Sequence, residues 1–394
     1  MVLPLHVLDA AARRRIQRFC VALGLIWYAR KTLGAFRDHH FHLQLQAEFQ
    51  NGVRSRWSML TSVLRYTFAS QLIASMEYLL PLAKPVLALR IARLLVYKGE
   101  NAIANLVYGA HPRNTIDIYG VEKTGEKKPV LVFVHGGAWS YGHKWQYGLV
   151  GQYLAKHGYL VGVINYRTYP TGNVHDQVDD VKDAIRWIAE HADAYGGDRD
   201  RIFLSGHSSG AHISALTIAQ SALRALGHSK DTSNEKNAPV HHHIKGFIGL
   251  AGPYDIAEHY VFESNRKVGP IDGVHEISTM KPAMLGESKF EVCSPTKLFR
   301  DLSAADVSLP RFHIIHGNAD AVVPASSSKK LAESLRMNEH DVEYIEIDGC
   351  THEDMVFAVM GDNVAIKQEL LAHLKRITQL PTQRLTRSES QAKL

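Results

Sequence analysis

The sequence predicts an α/β protein: a mostly parallel sheet with helices on both faces, preceded by an N-terminal helical region of different character. Three observations lead there. From residue 115 onward, short β-rich runs alternate with helical ones. The strand-like runs are nearly continuous in apolar and β-branched residues, the pattern of strands buried on both faces. Charge divides the chain unevenly: residues 1–100 hold 14 Lys+Arg against 5 Asp+Glu, a surplus of +9, whereas the remainder carries −3.

Taken in order, Thr115–Tyr119 and Pro129–Val134 read as strands, Trp145–His157 as a helix and Tyr159–Asn165 as a strand. The amphipathic run Asp176–Ala194 reads as a helix, Arg201–Ser205 as a strand, Ser209–Leu226 as a helix and Ile244–Leu250 as a strand. Arg311–His316 and Val342–Ile347 complete the strands, and Asp362–Ile377 is the last helix. Gly227–Pro239 reads as an exposed polar loop, Glu258 to Phe299 as a cap above the sheet, and Pro381–Leu394 as a disordered tail. The division is therefore 1–100, a basic apolar helical region expected as membrane contact or cap; 101–380, the α/β domain; and 381–394, the tail.

A chain of 394 residues, 45% hydrophobic and 21% charged, is neither a disulfide-stapled module nor a polytopic membrane protein. The net charge of +6 raises nucleic acid as a partner, but the basic surplus sits at one end and reads as an attachment surface, so no nucleic acid is expected. Cys20, Cys293 and Cys350 are scattered and odd in number, which fits free thiols in a reducing compartment.

Within the first hundred residues, Arg13, Arg14, Arg15 and Arg18 precede an apolar run from Phe19 to Ala29. At about 1.5 Å per residue this run covers about 16 Å, half of a roughly 30 Å hydrocarbon core. It has the charge order of a signal peptide without a small-residue cleavage site, so an amphipathic or re-entrant contact is expected. Tyr66 to Ala83 is long enough to span but carries Glu77 and Pro81, and Pro85 to Tyr97 places Arg90 and Arg93 among leucines as an interfacial helix would. Helices packed on the body of the α/β domain are the competing reading.

The chemistry concentrates in four segments. Gly206-His207-Ser208-Ser209-Gly210 follows a strand and opens a helix. Such a turn lifts the Ser208 hydroxyl clear of the sheet and leaves the Ser209 amide at a helix N-terminus, aimed at a developing oxyanion. His135-Gly136-Gly137-Ala138-Trp139 ends a strand, and amides of Gly136 and Gly137 can approach the same oxygen closely; His135 is read as structural. Asp320 follows the strand ending at His316, and His352 follows the next strand. Ser208, Asp320 and His352 thus occur in the order nucleophile, orienting acid, base. Asp354 and Asp348 are weaker substitutes for Asp320, whose plain alternative is a turn cap. His207 and His212 read as packing or polar support.

Asp38-His39-His40-Phe41-His42 and His241-His242-His243 look metal-like, but neighbours on an extended segment point in alternate directions and no partner has ligand spacing. They are read as solvated loops. With no G-x-G-x-x-G or phosphate loop, no cofactor or metal is expected.

On these residues the chain from about Tyr108 to Phe357 resembles the isoprenylcysteine α-carbonyl methylesterases, within the esterase/lipase group of α/β-hydrolases. Besides the four segments, the resemblance rests on Tyr108-Gly109, Pro112-Arg113-Asn114, Asp117-Ile118-Tyr119, Tyr166-Arg167 with Pro170, and Tyr195-Gly196-Gly197-Asp198. It continues through Gly210-Ala211-His212-Ile213-Ser214, Gly252 with Tyr254, and Ser294-Pro295. The plant-like members carry Thr where this chain has His135, and Gln and Ala where it has His207 and Ser209.

The resemblance implies an α/β-hydrolase fold and a serine esterase that hydrolyses the methyl ester of a prenylated cysteine. An esterase for so lipophilic a substrate, with a basic apolar N-terminus, is expected at the cytosolic face of a membrane, endoplasmic reticulum or Golgi. The ending Ala392-Lys393-Leu394 offers a peroxisomal address as the alternative. Competing functions are an arylformamidase or a broad lipid or short-chain esterase, and, in another class, a non-catalytic α/β-hydrolase receptor.

Overall fold

The computed structural model describes residues 101–227, 239–268, 271–275, 278–362 and 364–380. The expectations for residues 1–100, for the tail from Pro381 and for most of the loop after Gly227 lie outside the described residues, as do Cys20 and the histidines near Phe41.

The strands are β1 (Ala102–Val107), β2 (Thr115–Tyr119), β3 (Lys128–Val134), β4 (Leu160–Ile164), β5 (Gly197–His207), β6 (Gly246–Leu250), a two-residue ribbon β7 (Lys267–Val268) and β8 (Ile271–Asp272), β9 (Arg311–Gly317) and β10 (Val342–Ile347). The helices are α1 (Gly148–Ala155), α2 (Val174–His191), α3 (Ser209–Gly227), α4 (Ile256–Asn265), α5 (Met280–Ala283), α6 (Pro295–Leu298), α7 (Ala325–Met337), α8 (His352–Val359) and α9 (Lys367–Ile377). The main sheet runs β1-β2-β4-β3-β5-β6-β9-β10. From β4 to β10 every neighbouring pair is parallel, whereas β1 and β2 form an antiparallel edge.

The period of two along each strand explains why both faces need cover. On β3, Val130, Val132 and Val134 join a core with Val178, Ile185, Ile218 and Leu331 of α2, α3 and α7. Leu131 and Phe133 of the same strand point the other way, toward Leu149, Met355 and Leu374 of α1, α8 and α9. The apolar strand thus feeds two cores, as its continuous composition predicts. Full burial of each such side chain is worth about 1.5–3 kcal/mol.

Helix α2 starts where it does because the Asn173 side chain accepts from the amides of His175 and Asp176 while Asp176 returns a bond to the Asn173 amide. Helix α3 is buried around most of its circumference, which its small residues permit. The hydroxyls of Ser214 and Thr217 donate back to the Gly210 and Ile213 carbonyls at 2.8 Å, so they enter the core already paired.

The structure corrects several local expectations. The helix expected over Trp145–His157 is a 3₁₀ turn, Lys144–Tyr147, followed by α1, which stops short of Gly158 and its left-handed φ of 95°. Strand β5 runs on to His207, so Gly206 and His207 belong to the sheet. The residues His241 to His243 are not all solvated: a 3₁₀ turn over Val240–His243 buries His241, whose Nδ1 meets the Ser221 hydroxyl at 2.9 Å. Among the described residues no group of three His, Cys, Asp or Glu is placed to hold a metal ion, and no helix is long and apolar enough to cross a membrane. Cys293 and Cys350 are both free and buried.

Candidate active site

Ser208 is the one residue between β5 and α3, and its φ of 56° lies in the left-handed region. The flanking glycines make the turn possible. A Cβ on Gly206 would stand 2.5 Å from the backbone of Gly210, and one on Gly210 would stand 2.2 Å from the Val134 carbonyl at the end of β3. The turn is pinned from the other side by the Ser208 amide, which donates to Leu250 O of β6 at 2.9 Å. The Ser208 carbonyl accepts from the amides of Ala211 and His212, leaving the Ser209 amide at the head of α3 without an intrahelical acceptor.

The loop after β3 faces this turn. A Cβ on Gly136 would lie 3.0 Å from His207 O and 3.1 Å from Ser208 Cβ, so only glycine fits without displacing the serine. Gly137, Ala138 and Trp139 all have positive φ, at 134°, 43° and 59°. This strained run is held through its carbonyls. Tyr166 Oη donates to His135 O at 2.8 Å, His135 Nδ1 to Gly136 O at 2.8 Å, and the amides of Ser140 and Tyr141 to Gly137 O at 3.0 Å each. Thr279 Oγ1 donates to Ala138 O at 2.7 Å, and Gln177 Nε2 and the Tyr169 amide to Trp139 O at 2.8 Å each. Five consecutive carbonyls are occupied by the protein. Among the described residues the amides of Gly136 and Gly137 donate to none of its acceptors.

Asp320 and His352 meet at the carboxyl edge of the sheet. Asp320 follows β9, and His352 is the first residue of α8, behind a capping box in which Thr351 and Asp354 bond each other. His352 Nδ1 lies 2.7 Å from Asp320 Oδ2, with both side chains almost fully buried. Asp320 also caps its turn, since Oδ1 accepts from the amides of Val322 and Val323 at 2.8 Å each. The two readings of Asp320 therefore hold together, one for each oxygen. Burial alone would raise its carboxyl, but the charges and hydrogen bonds of His352 and His316 outweigh that and hold it far below the usual carboxylate range. The substitutes are engaged elsewhere: Asp354 with Thr351, and Asp348 with Asn318 Nδ2 at 2.8 Å.

The supporting histidines are all neutral by burial. His207 is pushed down to about 3, first by burial and then by His352; its Nε2 donates to His352 O at 3.1 Å. His212 is pushed down to about 4 by burial. It accepts from Trp139 Nε1 at 3.0 Å and donates through Nε2 to Cys293 O at 2.7 Å, tying the loop after β3 to the segment between α5 and α6. His135, also lowered to about 3 by burial, stacks on Tyr166 with centroids 4.5 Å apart. The reading of His135, His207 and His212 as supports agrees with these contacts.

Sequence reasoning missed His316, whose Nε2 stands 3.2 Å from Asp320 Oδ2, and the donors Gln177 and Thr279. The spacing of four residues between His316 and Asp320 was the available signal; Gln177 and Thr279 lie 38 and 141 residues from the carbonyls they serve and offered none.

A mixed, mostly parallel sheet with a serine turn after β5, an acid after β9 and a histidine after β10 defines an α/β-hydrolase. Residues 116–335 match the BD-FAE family, and the chain belongs to that family of α/β-hydrolase esterases. It is 34% identical over 272 residues to a probable isoprenylcysteine alpha-carbonyl methylesterase, ICMEL2, of Arabidopsis thaliana, with 68% of this chain and 60% of that protein covered. It is 33% identical to the isoprenylcysteine alpha-carbonyl methylesterase ICME of the same plant, covering 64% and 56%. With esterase LipC of Mycobacterium tuberculosis the identity is 30%, covering 63% and 58%. The chain thus spans rather more than half the length of these relatives. Inhibited esterase B from Lactobacillus rhamnosis superimposes with a TM-score of 0.60 at 18% identity, covering 82% of this chain and 98% of that one. At that identity the likeness shows the fold.

Proposed function

We propose that the protein is a serine carboxylesterase that hydrolyses the methyl ester of a prenylated cysteine, releasing methanol and a free carboxylate. The observation that carries the hydrolytic part is the 2.7 Å contact between Asp320 Oδ2 and His352 Nδ1, at the sheet edge where the Ser208 turn packs on Gly136. His352 takes the Ser208 proton as Oγ attacks the ester carbonyl, and the amides of Gly136, Gly137 and Ser209 receive the negative oxygen. The imidazolium returns its proton to the departing methoxide, and water, activated by the same histidine, releases the acid. Asp320 keeps Nδ1 protonated throughout, so Nε2 is the basic nitrogen.

The prenylcysteine substrate rests on the methylesterase relatives at 33–34% identity. Residues 1–100, with their surplus of +9, serve in this reading to hold the enzyme at an anionic cytosolic membrane surface, endoplasmic reticulum or Golgi, where a prenylated substrate partitions. Peroxisomal delivery through Ala392-Lys393-Leu394 is the alternative location. The similarity to a mycobacterial esterase favours one second reading, a broad short-chain esterase.

The test is to offer purified protein a prenylcysteine methyl ester, a short acyl ester and N-formylkynurenine in parallel. Preferred turnover of the first supports the reading; turnover of the others without it overturns the substrate assignment. Failure of an alkyl fluorophosphonate to label Ser208 in folded protein overturns the enzymatic one. Imaging the chain with and without its last three residues, and without residues 1–100, decides the location.

A further inference from the structure

We propose that His316 is a positioning residue for this reaction, fixing Asp320 from behind by a second imidazole hydrogen bond to the oxygen that holds His352; the inference rests on the triad reading above. His316 is the penultimate residue of β9, and its side chain is fully buried. Its Nε2 faces two acceptors, Asp320 Oδ2 at 3.2 Å and Val323 O at 3.0 Å. Neither can donate, so Nε2 carries a hydrogen, with Val323 O as its nearer acceptor and Asp320 Oδ2 as the second within reach. Its Nδ1 meets Ser328 Oγ of α7 at 2.6 Å, and Ser328 is itself buried. The ring is therefore gripped at both nitrogens.

Asp320 Oδ2 consequently lies between two imidazoles, 2.7 Å from His352 Nδ1 and 3.2 Å from His316 Nε2, while Oδ1 holds two backbone amides. The two amides fix Oδ1, and on Oδ2 His316 supplies the restraint that is independent of His352, the ring Asp320 has to orient. Without His316, Oδ1 would stay on its two amides while Oδ2 was located only by the ring it has to orient. The titratable groups acting around this ring are Asp320 and His352, His207 at the end of β5, and Glu346 of β10, which is paired with Lys329 at 2.7 Å.

Two amide isosteres separate positioning from packing. In His316→Gln the side-chain amide reaches the place of Nε2 and keeps the bond to Asp320; in His316→Asn it reaches the place of Nδ1, keeps Ser328 and loses Asp320. Steady-state hydrolysis of p-nitrophenyl acetate by the full chain is measured across pH for both. His316→Gln is expected within about threefold of the parent, and His316→Asn to lose roughly tenfold in kcat with KM unchanged. A carboxylate deprived of a donor attracts the His352 proton more strongly. The acid limb of the His316→Asn profile is therefore expected to move to higher pH by about half a unit.

Parental kcat in His316→Asn overturns the proposal, and so do equal losses in both variants with an unmoved acid limb, since that is what a merely structural role produces. Should neither variant fold, Ser328→Ala, which leaves the ring but frees one end, is expected to lower kcat by about threefold, and an unchanged kcat there overturns the proposal. Ser208→Ala is run alongside: retained activity in that variant overturns the triad reading itself, whatever the His316 variants do.

Discussion

His207 donates its Nε2 hydrogen to the backbone carbonyl of His352 at 3.1 Å, and the two rings lie 4.6 Å apart at 43°. The neighbour of Ser208 in the chain therefore holds the backbone of the residue that carries the base, across 145 positions of sequence. Burial, with His352 adding to it, lowers the His207 imidazole to about 3, so it acts as a neutral donor at working pH. His207→Gln, whose amide can make the same bond, is expected to retain most activity, whereas His207→Leu should lose roughly tenfold in kcat with little change in KM. Identical losses in both variants would remove the hydrogen bond from the explanation.

Removing the acting groups should be far more severe. Ser208→Ala and His352→Ala are each expected to lower kcat by roughly 10⁴–10⁶, and Asp320→Asn by about 10⁴, because the amide presents Nε2 of His352 in the wrong tautomer. Combining Ser208→Ala with His352→Ala should cost no more than the worse single change. Steady-state kinetics with thermal melting as a folding control checks both statements.

Gly136→Ala tests the approach of the oxyanion loop. Its methyl would sit 3.0 Å from His207 O and 3.1 Å from Ser208 Cβ, and neither neighbour is the far end of a flexible side chain. The loop must withdraw by a few tenths of an ångström, lengthening the amide contacts to the transition state. A fall of about 10²–10³ in kcat with a nearly constant KM is expected. A KM effect without a kcat effect would instead place Gly136 in ground-state binding.

The loop also depends on a buried ion pair. Arg167 binds Asp180 through Nη2 at 2.7 Å and Asp176 through Nη1 at 2.7 Å, between the two tyrosines, Tyr166 and Tyr169, that hold the carbonyls of His135 and Trp139. Asp180 is almost fully buried, with 1% of its side chain exposed. Asp180→Ala leaves the guanidinium underpaired and should destabilise the fold by about 3–5 kcal/mol. Urea unfolding measures this, and a loss below ~1 kcal/mol would mean the pair is replaced by water.

Stability should also fall in mild acid, and the sign follows from the buried histidines. His135, His207 and His259 are lowered from 6.5 to about 3, and His212 and His241 to about 4, chiefly by burial. Between those values and 6.5 the unfolded chain binds protons that the folded one refuses. The stabilisation is complete above pH 6.5 and is lost as pH falls toward 4 and 3, at up to ~1.4 kcal/mol per pH unit for each site. Tm measured from pH 7 to 4.5 should drop steadily; a flat profile would show that these rings are not buried neutral.

How much of this was legible depends on whether the signal was local. The strand β3 announces two buried faces by being apolar at every position from Val130 to Val134, and Ser208, Asp320 and His352 announce themselves by their order and by the strands before them. Strand β1 was hard to read because it is an exposed edge whose two partly buried residues, Ile103 and Leu106, stand three apart across a register break, so no alternation marks it. Helix α7 opens Ala-Ser-Ser-Ser-Lys-Lys and buries chiefly Leu331, Ala332 and Leu335 among its apolar positions, too narrow a stripe to stand out. His316 was overlooked for a different reason: inside an apolar strand a histidine looks like core, and its spacing of four from Asp320 takes on meaning only with the loop after β9 in place.

The occupied carbonyls of residues 135–139 fix more than a shape. Turning any one of those peptide planes over would strand a buried donor, such as Tyr166 Oη, Gln177 Nε2 or Thr279 Oγ1, at a cost of about 1–3 kcal/mol each. The rim of the pocket therefore has one electrical polarity, set when the chain folds and not revisable by a ligand. An ammonium group there would compete with Tyr166 Oη, Thr279 Oγ1 and Gln177 Nε2 for carbonyls already in use.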